Sequence, residues 1–303
     1  MIKSPRTSRF AAALAATCLL GLTACGSVSS SSDSFSVNGT GYAEEDFNKL
    51  SEVLITAGQF TADKGKIKSA DAVVVLRTLI RYESFLQFTK DNDVKILESD
   101  RVEVLKNANA DAQFPKYPKE LQDVLVNFNI AEVTLRKMAP PAIDKIEKLY
   151  SDSPASAGVL CLSHILVKTE AEANNVLADL KAGTKFADEA AKKSIEPGAD
   201  KSGGSLANGG QPCQALADLQ TSFDKDFMIG AVAAKPGVAT GPVKSSFGYH
   251  IILSAPFADV KDSVATVVAE NPGATLLAGY MSKADIKVNS TYGVWNGATA
   301  TIS

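Results

Sequence analysis

The sequence predicts an α+β protein, and three observations carry that reading. Residues 43–150 repeat apolar side chains at spacings of three and four, the period of helices packed on a core. Residues 159–255 read as strand, helix, helix, helix, strand, strand, and residues 256–303 return to helical spacing before an extended end, "IKVNSTYGVW". The first segment is therefore a mainly helical domain, and the second a module that follows it or is inserted in it. A chain of 303 residues that is 45% hydrophobic and 21% charged can bury a sizeable core.

The N-terminus has a different character. Lys3, Arg6 and Arg9 precede a short apolar run from Phe10 to Leu22, the shape of a secretory signal and too short to span a bilayer. The run closes on "LTAC", which resembles the lipobox of bacterial lipoproteins. That resemblance implies a signal peptide over 1–24 and a lipid on Cys25, which would hold the protein to the outer face of the cell membrane. Residues 25–42, rich in Ser and Gly, read as a flexible tether. Losing residues 1–24 removes three positive charges and no negative ones, taking the net charge from −3 to −6. An acidic mature chain argues against nucleic acid as a partner. Cys161 and Cys213 then remain, and outside the cytosol two arrangements stay open for them: a disulfide, or two separate buried thiols.

In the helical segment, "ADAVVVLRTLIRYESFL" places Ala72, Val75, Leu76, Leu79, Ile80 and Leu86 on one face. "KELQDVLVNFNIAEVTLRKMAPP" does so with Leu121, Val124, Leu125 and Phe128, and Pro140 with Pro141 stops it. "IDKIEKLY" adds Ile143, Ile146, Leu149 and Tyr150. None of these stretches holds a metal-ligand cluster, a nucleophile elbow or a phosphate loop, so the segment reads as a packing or binding domain.

The composition switches after the linker "SDSPASAG". "VLCLSHILV" is a near-continuous apolar strand. Thr169 and Glu172 form a capping box, and the helix they open presents Ala173, Val176, Leu177 and Leu180 before Gly183 ends it. "KFADEAAKKS" predicts a short helix, "IEPGADKSGGSLANGGQPC" a loop, and the stretch from Phe223 to Ala233 a third helix. "GPVKSSFGYHIILSAP" predicts two strands joined at Ser246 to Gly248. Alternation puts His164 on one face with Leu162 and Leu166, His250 with Ile252, and Cys161 on the face opposite His164. If the two strands are neighbours, the only two histidines of the chain meet at one core position.

Read together, "SHILVKTEAEA", "FADEAAKKSIEPGADKSGGSL", "AAKPG" and "GPVKSSFGYHIIL" resemble the parvulin-type peptidyl-prolyl cis/trans isomerases, over about a third of the chain. The resemblance implies a small antiparallel sheet flanked by helices. It also implies catalytic positions at His164, Glu196 and His250, with the histidines hydrogen-bonding around Glu196, which stands where the family has Asp or Cys. The substrate pocket would be Leu206, Phe223, Phe227 and Phe247. The pattern departs from the family at "GGSLANG" and in the extra chain between Leu206 and Phe223, so the rim differs. The flanking helical pieces look like the chaperone portions of SurA-type and PrsA-type proteins.

Rotation about an X-Pro bond faces a barrier of about 18–20 kcal/mol, yet no bond is made or broken, so no cofactor is implied. The expected function is an exported, membrane-anchored isomerase and foldase acting on proline-containing segments of unfolded proteins. A second reading is a peptide-binding chaperone that keeps the fold without turnover. A metal hydrolase built on the two histidines would need further ligands that the sequence does not place nearby, and no metal is expected.

Overall fold

The computed structural model describes residues 32–303, so the signal peptide and Cys25 lie outside the described residues. The chain begins with β1 (Asp33–Val37) and β2 (Thr40–Ala43), an antiparallel hairpin turning at Asn38 and Gly39, whose φ values are 47° and 83°. Asn-Gly is the pair that accepts two positive φ angles in a two-residue hairpin. This corrects the tether: residues 33–42 are folded, and β1 is the central strand of a sheet. Composition misleads here because Ser34 and Ser36 are buried beside Phe35 and Val37, with the Ser34 hydroxyl donating to Glu44 Oε2 at 2.7 Å.

Next come α1 (Glu44–Thr56), a small hairpin of β3 (Ala62–Asp63) and β4 (Lys66–Ile67), α2 (Ser69–Asp91), α3 (Glu98–Asn109), α4 (Lys119–Arg136) and α5 (Ile143–Asp152). The expected α2 face is buried from Ala72 to Ile80, but in the last turns Phe85 and Phe88 take the core positions and Leu86 is only partly covered. In α4, Leu121 is buried as expected. Val124, Leu125 and Phe128 are half-buried, because this helix packs on two sides: Val126, Ile130 and Val133 meet Val104 and Phe114, while Ala131 and Leu135 meet α2. Ile146 and Tyr150 carry the buried face of α5, and Ile143 is exposed.

The middle of the chain holds β5 (Val159–Leu160), β6 (Leu162–Val167), α6 (Glu170–Lys181), α7 (Phe186–Lys193) and the one-turn α8 (Ala199–Ser202). It continues with β7 (Gln214–Ala215), α9 (Leu216–Ser222), α10 (Lys225–Ala233), β8 (Thr240–Ser245) and β9 (Gly248–Ser254). The apolar strand is split at Cys161: β5 pairs with β7, while β6 joins an antiparallel sheet of order β6-β9-β8. The helix expected from Phe223 to Ala233 is α10, which starts where Asp224 caps it by accepting from the N–H groups of Asp226 and Phe227, and α9 before it is a further helix that the sequence reading did not give. The capping box of Thr169 and Glu172 is formed as expected. One sheet face buries Ile165, Val167 and Ile251 under α6 and α7, and the other buries Leu162 and Ile252 with Phe227 and Met228.

The chain closes with α11 (Phe257–Glu270), α12 (Pro272–Lys283), β10 (Ile286–Val288) and the short pair β11 (Trp295–Asn296) and β12 (Thr301–Ile302). β10 pairs antiparallel with β1, and Leu276, Leu277, Met281, Ile286 and Ile302 share one core with Phe35, Val37, Leu76 and Ile80. The ends of the chain therefore build one hydrophobic unit, and residues 159–255 leave from it and return to it. At the junction, Gly158 sits at φ 70° against α12, where a Cβ would lie 1.8 Å from the Thr275 carbonyl oxygen. Only glycine allows that approach. Tyr150, fully buried there, donates its hydroxyl to the Ala255 carbonyl at 2.9 Å. No helix among the described residues is long and apolar enough to cross a membrane.

Candidate active site

The register of β6 and β9 sets His164 across from Ile252 and Leu166 across from His250, so the histidines are diagonal neighbours on one face. Diagonal pairs on an antiparallel sheet lie within reach of ring side chains. Their Nδ1 atoms are 3.2 Å apart, their rings stack with centroids 5.4 Å apart, and the residues are 5% and 4% exposed. Phe227, 2% exposed, stands edge-on to both imidazoles at 5.7 and 5.0 Å, and Phe223 stacks on Phe227 at 5.2 Å.

Four pieces of chain hold this arrangement. The outer edge of β6 is covered by residues 204–206, with the His164 N–H donating to the Gly204 carbonyl and the Leu206 N–H to the Leu162 carbonyl. That fixes Leu206 beside the sheet, partly buried against the cluster that contains Phe227. Farther along the same edge, the Leu166 N–H donates to Ser194 Oγ and the Ile195 N–H to the Leu166 carbonyl, which brings Glu196 to the pair. Asp224 caps α10 and also accepts from the Ser246 hydroxyl at 2.9 Å, tying the helix that carries Phe227 to the β8–β9 turn. At that turn Phe247 is 69% exposed, on the rim and not in the slot.

Glu196 Oε2 lies 3.9 Å from His164 Nε2, beyond hydrogen-bond range, so the expectation that the histidines bond around Glu196 is corrected. They bond to each other and to Ser245, whose Oγ is 2.7 Å from His250 Nε2. Sequence reading missed Ser245, Ser246 and Asp224. Hairpin parity was the available signal for the first: Ser245 pairs with Gly248, two residues before His250 and so on its face.

The proton arrangement follows from these contacts. Ser245 Oγ accepts from the Phe247 N–H and shares a 2.7 Å hydrogen bond with His250 Nε2, whose direction goes with the imidazole tautomer. With the Ser245 hydroxyl donating, His250 carries its proton on Nδ1 and donates it to His164 Nδ1, leaving His164 with its proton on Nε2. The negative charge of Glu196 favours that direction, and His164 Nε2 has no other partner. Burial lowers the pKa of His164, opposed by Glu196. Burial, reinforced by the neighbouring His164 and opposed by Asp224, lowers His250 to about 4. Both rings are neutral at pH 7. Among the described residues no group of three or more His, Cys, Asp or Glu side chains is placed to hold a metal.

The structure joins Cys161 to Cys213 in a disulfide, on the side of the strand away from His164 and packed with Tyr150 and Phe257. It fastens the extra chain between Leu206 and Phe223, whose Gln214 side chain donates to the Leu206 carbonyl at 2.8 Å.

A small antiparallel sheet with a buried histidine pair under an aromatic slot defines a class, and comparison with known proteins gives the same one. Residues 164–255 match the Rotamase family, the PPIC-type PPIASE domain, and the chain carries a parvulin-type domain over that stretch. Foldase protein PrsA of Clostridium kluyveri is 44% identical over 103 residues, covering 34% of this chain and 27% of that protein. Foldase protein PrsA of Clostridium botulinum is 36% identical over 106 residues, covering 35% and 29%. The chain thus spans under a third of the length of these curated relatives. Among solved structures, NmPin, the parvuline of Nitrosopumilus maritimus, is 33% identical, with 32% of this chain and 96% of that chain covered and a TM-score of 0.28. PrsA from Bacillus subtilis is 26% identical, with 76% and 94% covered and a TM-score of 0.30.

Proposed function

We propose that this chain is a peptidyl-prolyl cis/trans isomerase acting as a foldase for exported proteins, held to the membrane by a lipid on Cys25. The observation that carries the reading is Phe227, set edge-on to two buried, mutually hydrogen-bonded imidazoles. A prolyl ring has an apolar slot between Leu206, Phe223 and Phe227. Its amide then lies against a neutral, water-poor wall.

Such a wall suits the reaction. The planar amide is strongly polar and loses solvation there, whereas the twisted amide has lost resonance and part of its carbonyl dipole, so the transition state is penalised less. His164 and His250 do this as a neutral pair, and the His164 Nε2–H is a fixed donor at the slot. No covalent step is required of Glu196, whose role is to hold the direction of the proton chain.

The test is the rate of cis/trans exchange in a proline peptide. Wild type is expected to accelerate it, and His164→Ala combined with Phe227→Ala to abolish the acceleration; equal rates would sink the proposal. For the anchor, Cys25→Ser is expected to move the protein from the membrane fraction to the soluble fraction, and continued membrane retention would remove the lipid from the reading. The extra chain at the rim favours a second reading, a chaperone without turnover. Suppression of client aggregation with no acceleration of exchange would select it.

A further inference from the structure

Two carboxylates stand at opposite ends of the histidine pair. Glu196 reaches to 3.9 Å from His164 Nε2 with its side chain 43% exposed. Asp224, at the start of α10, holds its charge on the His250 side. Burial pulls its pKa up, but the Ser246 hydroxyl and the N–H groups of Asp226, Phe227 and Ser246 together keep it below the usual carboxylate value. Among the described residues no lysine or arginine nitrogen comes within 4.0 Å of either carboxylate. Lys244, the nearest cation in the hairpin, alternates to the sheet face opposite Val243 and Ser245. The buried His164 Nε2, without a hydrogen-bond partner, is aimed at the Glu196 side of this mouth.

We infer that the site selects proline segments whose preceding residue is lysine or arginine, with Glu196 as the main determinant and Asp224 as the second. The inference rests on the isomerase reading above. With the prolyl ring in the slot, the preceding Cα is about 3.8 Å from the prolyl Cα. Its side chain therefore projects from the slot toward the mouth, where charges within about 10 Å act on it at moderate salt. A cation there gains attraction from two carboxylates that no lysine or arginine neutralises in an ion pair, the exposed Lys225 beside Asp224 included, and a carboxylate is repelled. Asp224 is kept ionised by its own hydrogen bonds and so contributes charge without being free to bend toward the substrate.

The experiment measures kcat/KM of the full chain on a peptide series that differs only in the residue before proline: Lys, Arg, Ala, Gln and Glu. At low salt Lys and Arg are expected to exceed Ala about fivefold and Glu about tenfold or more, with the ratios shrinking toward one at about 1 M NaCl. Glu196→Gln is expected to flatten the series and Glu196→Lys to reverse it. Asp224→Asn keeps a good helix cap while removing charge, and should flatten it in part. Turnover with no preference, or a preference unchanged in Glu196→Gln, overturns the inference alone. Absence of turnover on every peptide overturns the isomerase reading and this inference with it.

Discussion

His164 and His250 meet Nδ1 to Nδ1 at 3.2 Å, a contact that has room for one proton between the two rings. Protonating both imidazoles would put two donors face to face. Because His250 is held near 4 in the folded chain against about 6.5 when unfolded, the unfolded state binds protons first as pH falls. The stability this neutral pair contributes is present above pH 6.5 and is lost as pH drops toward 4. His250 alone accounts for about 3 kcal/mol of that loss. Thermal midpoints measured from pH 7.5 to 4.5 should fall more steeply in wild type than in a His164→Gln, His250→Gln double variant. Parallel curves would contradict the neutral-pair assignment.

Ser245 Oγ lies 2.7 Å from His250 Nε2, and in the direction that the Glu196 charge favours, its hydroxyl donates there and heads the proton chain through both rings. Ser245→Ala leaves a buried nitrogen without a partner, which costs about 1–3 kcal/mol. Ser245→Thr keeps the hydroxyl. Isomerisation is expected to drop several-fold in the alanine variant and to recover in the threonine variant, and the imidazole proton signals should shift only in the former. Equal activity in all three would remove Ser245 from the site.

Phe223 and Phe227 stack on each other, but only Phe227 is fully buried. Phe227→Ala is expected to lower stability by about 3–5 kcal/mol through the cavity it opens, in addition to its effect on catalysis. Phe223→Ala, on the half-buried side, is expected to raise KM with a much smaller stability loss. Denaturant unfolding together with KM and kcat for each variant separates the two. A large stability loss in Phe223→Ala would show that it belongs to the core and not to the slot.

The Cys161–Cys213 bond closes a loop with a sequence separation of 52 residues, a constraint worth about 4 kcal/mol in the chain-entropy view. Cys161→Ser with Cys213→Ser should unfold at a lower denaturant concentration, as should wild type under strong reductant. Since Gln214 holds the Leu206 carbonyl, KM should rise as well. An unchanged midpoint would mean that packing around Tyr150 suffices without the bond.

Strand alternation gave each histidine its face, and with β6 and β9 paired, His164 and His250 do meet, whereas Phe227 was reached only through the family resemblance and stands beside them in the fold. What the sequence concealed lies in loops and turns. Asp224 looks like any acidic loop residue until it is seen capping α10 while accepting from Ser246 across the hairpin. The strand Asp33–Val37 was hidden by its serines, both buried, of which Ser34 donates its hydroxyl to Glu44. Leu86 and Phe85 exchange roles because helical periodicity leaves one residue of freedom at the end of a 23-residue helix.

The pairing of β1 with β10 also fixes an order in time. Phe35 acquires its strand partner Val288 only when the last part of the chain is available. The parvulin-type module has all its own strands well before then. The unit formed by the two ends thus remains half-built while the module it surrounds is already complete, and the final twenty residues act as the closing stitch.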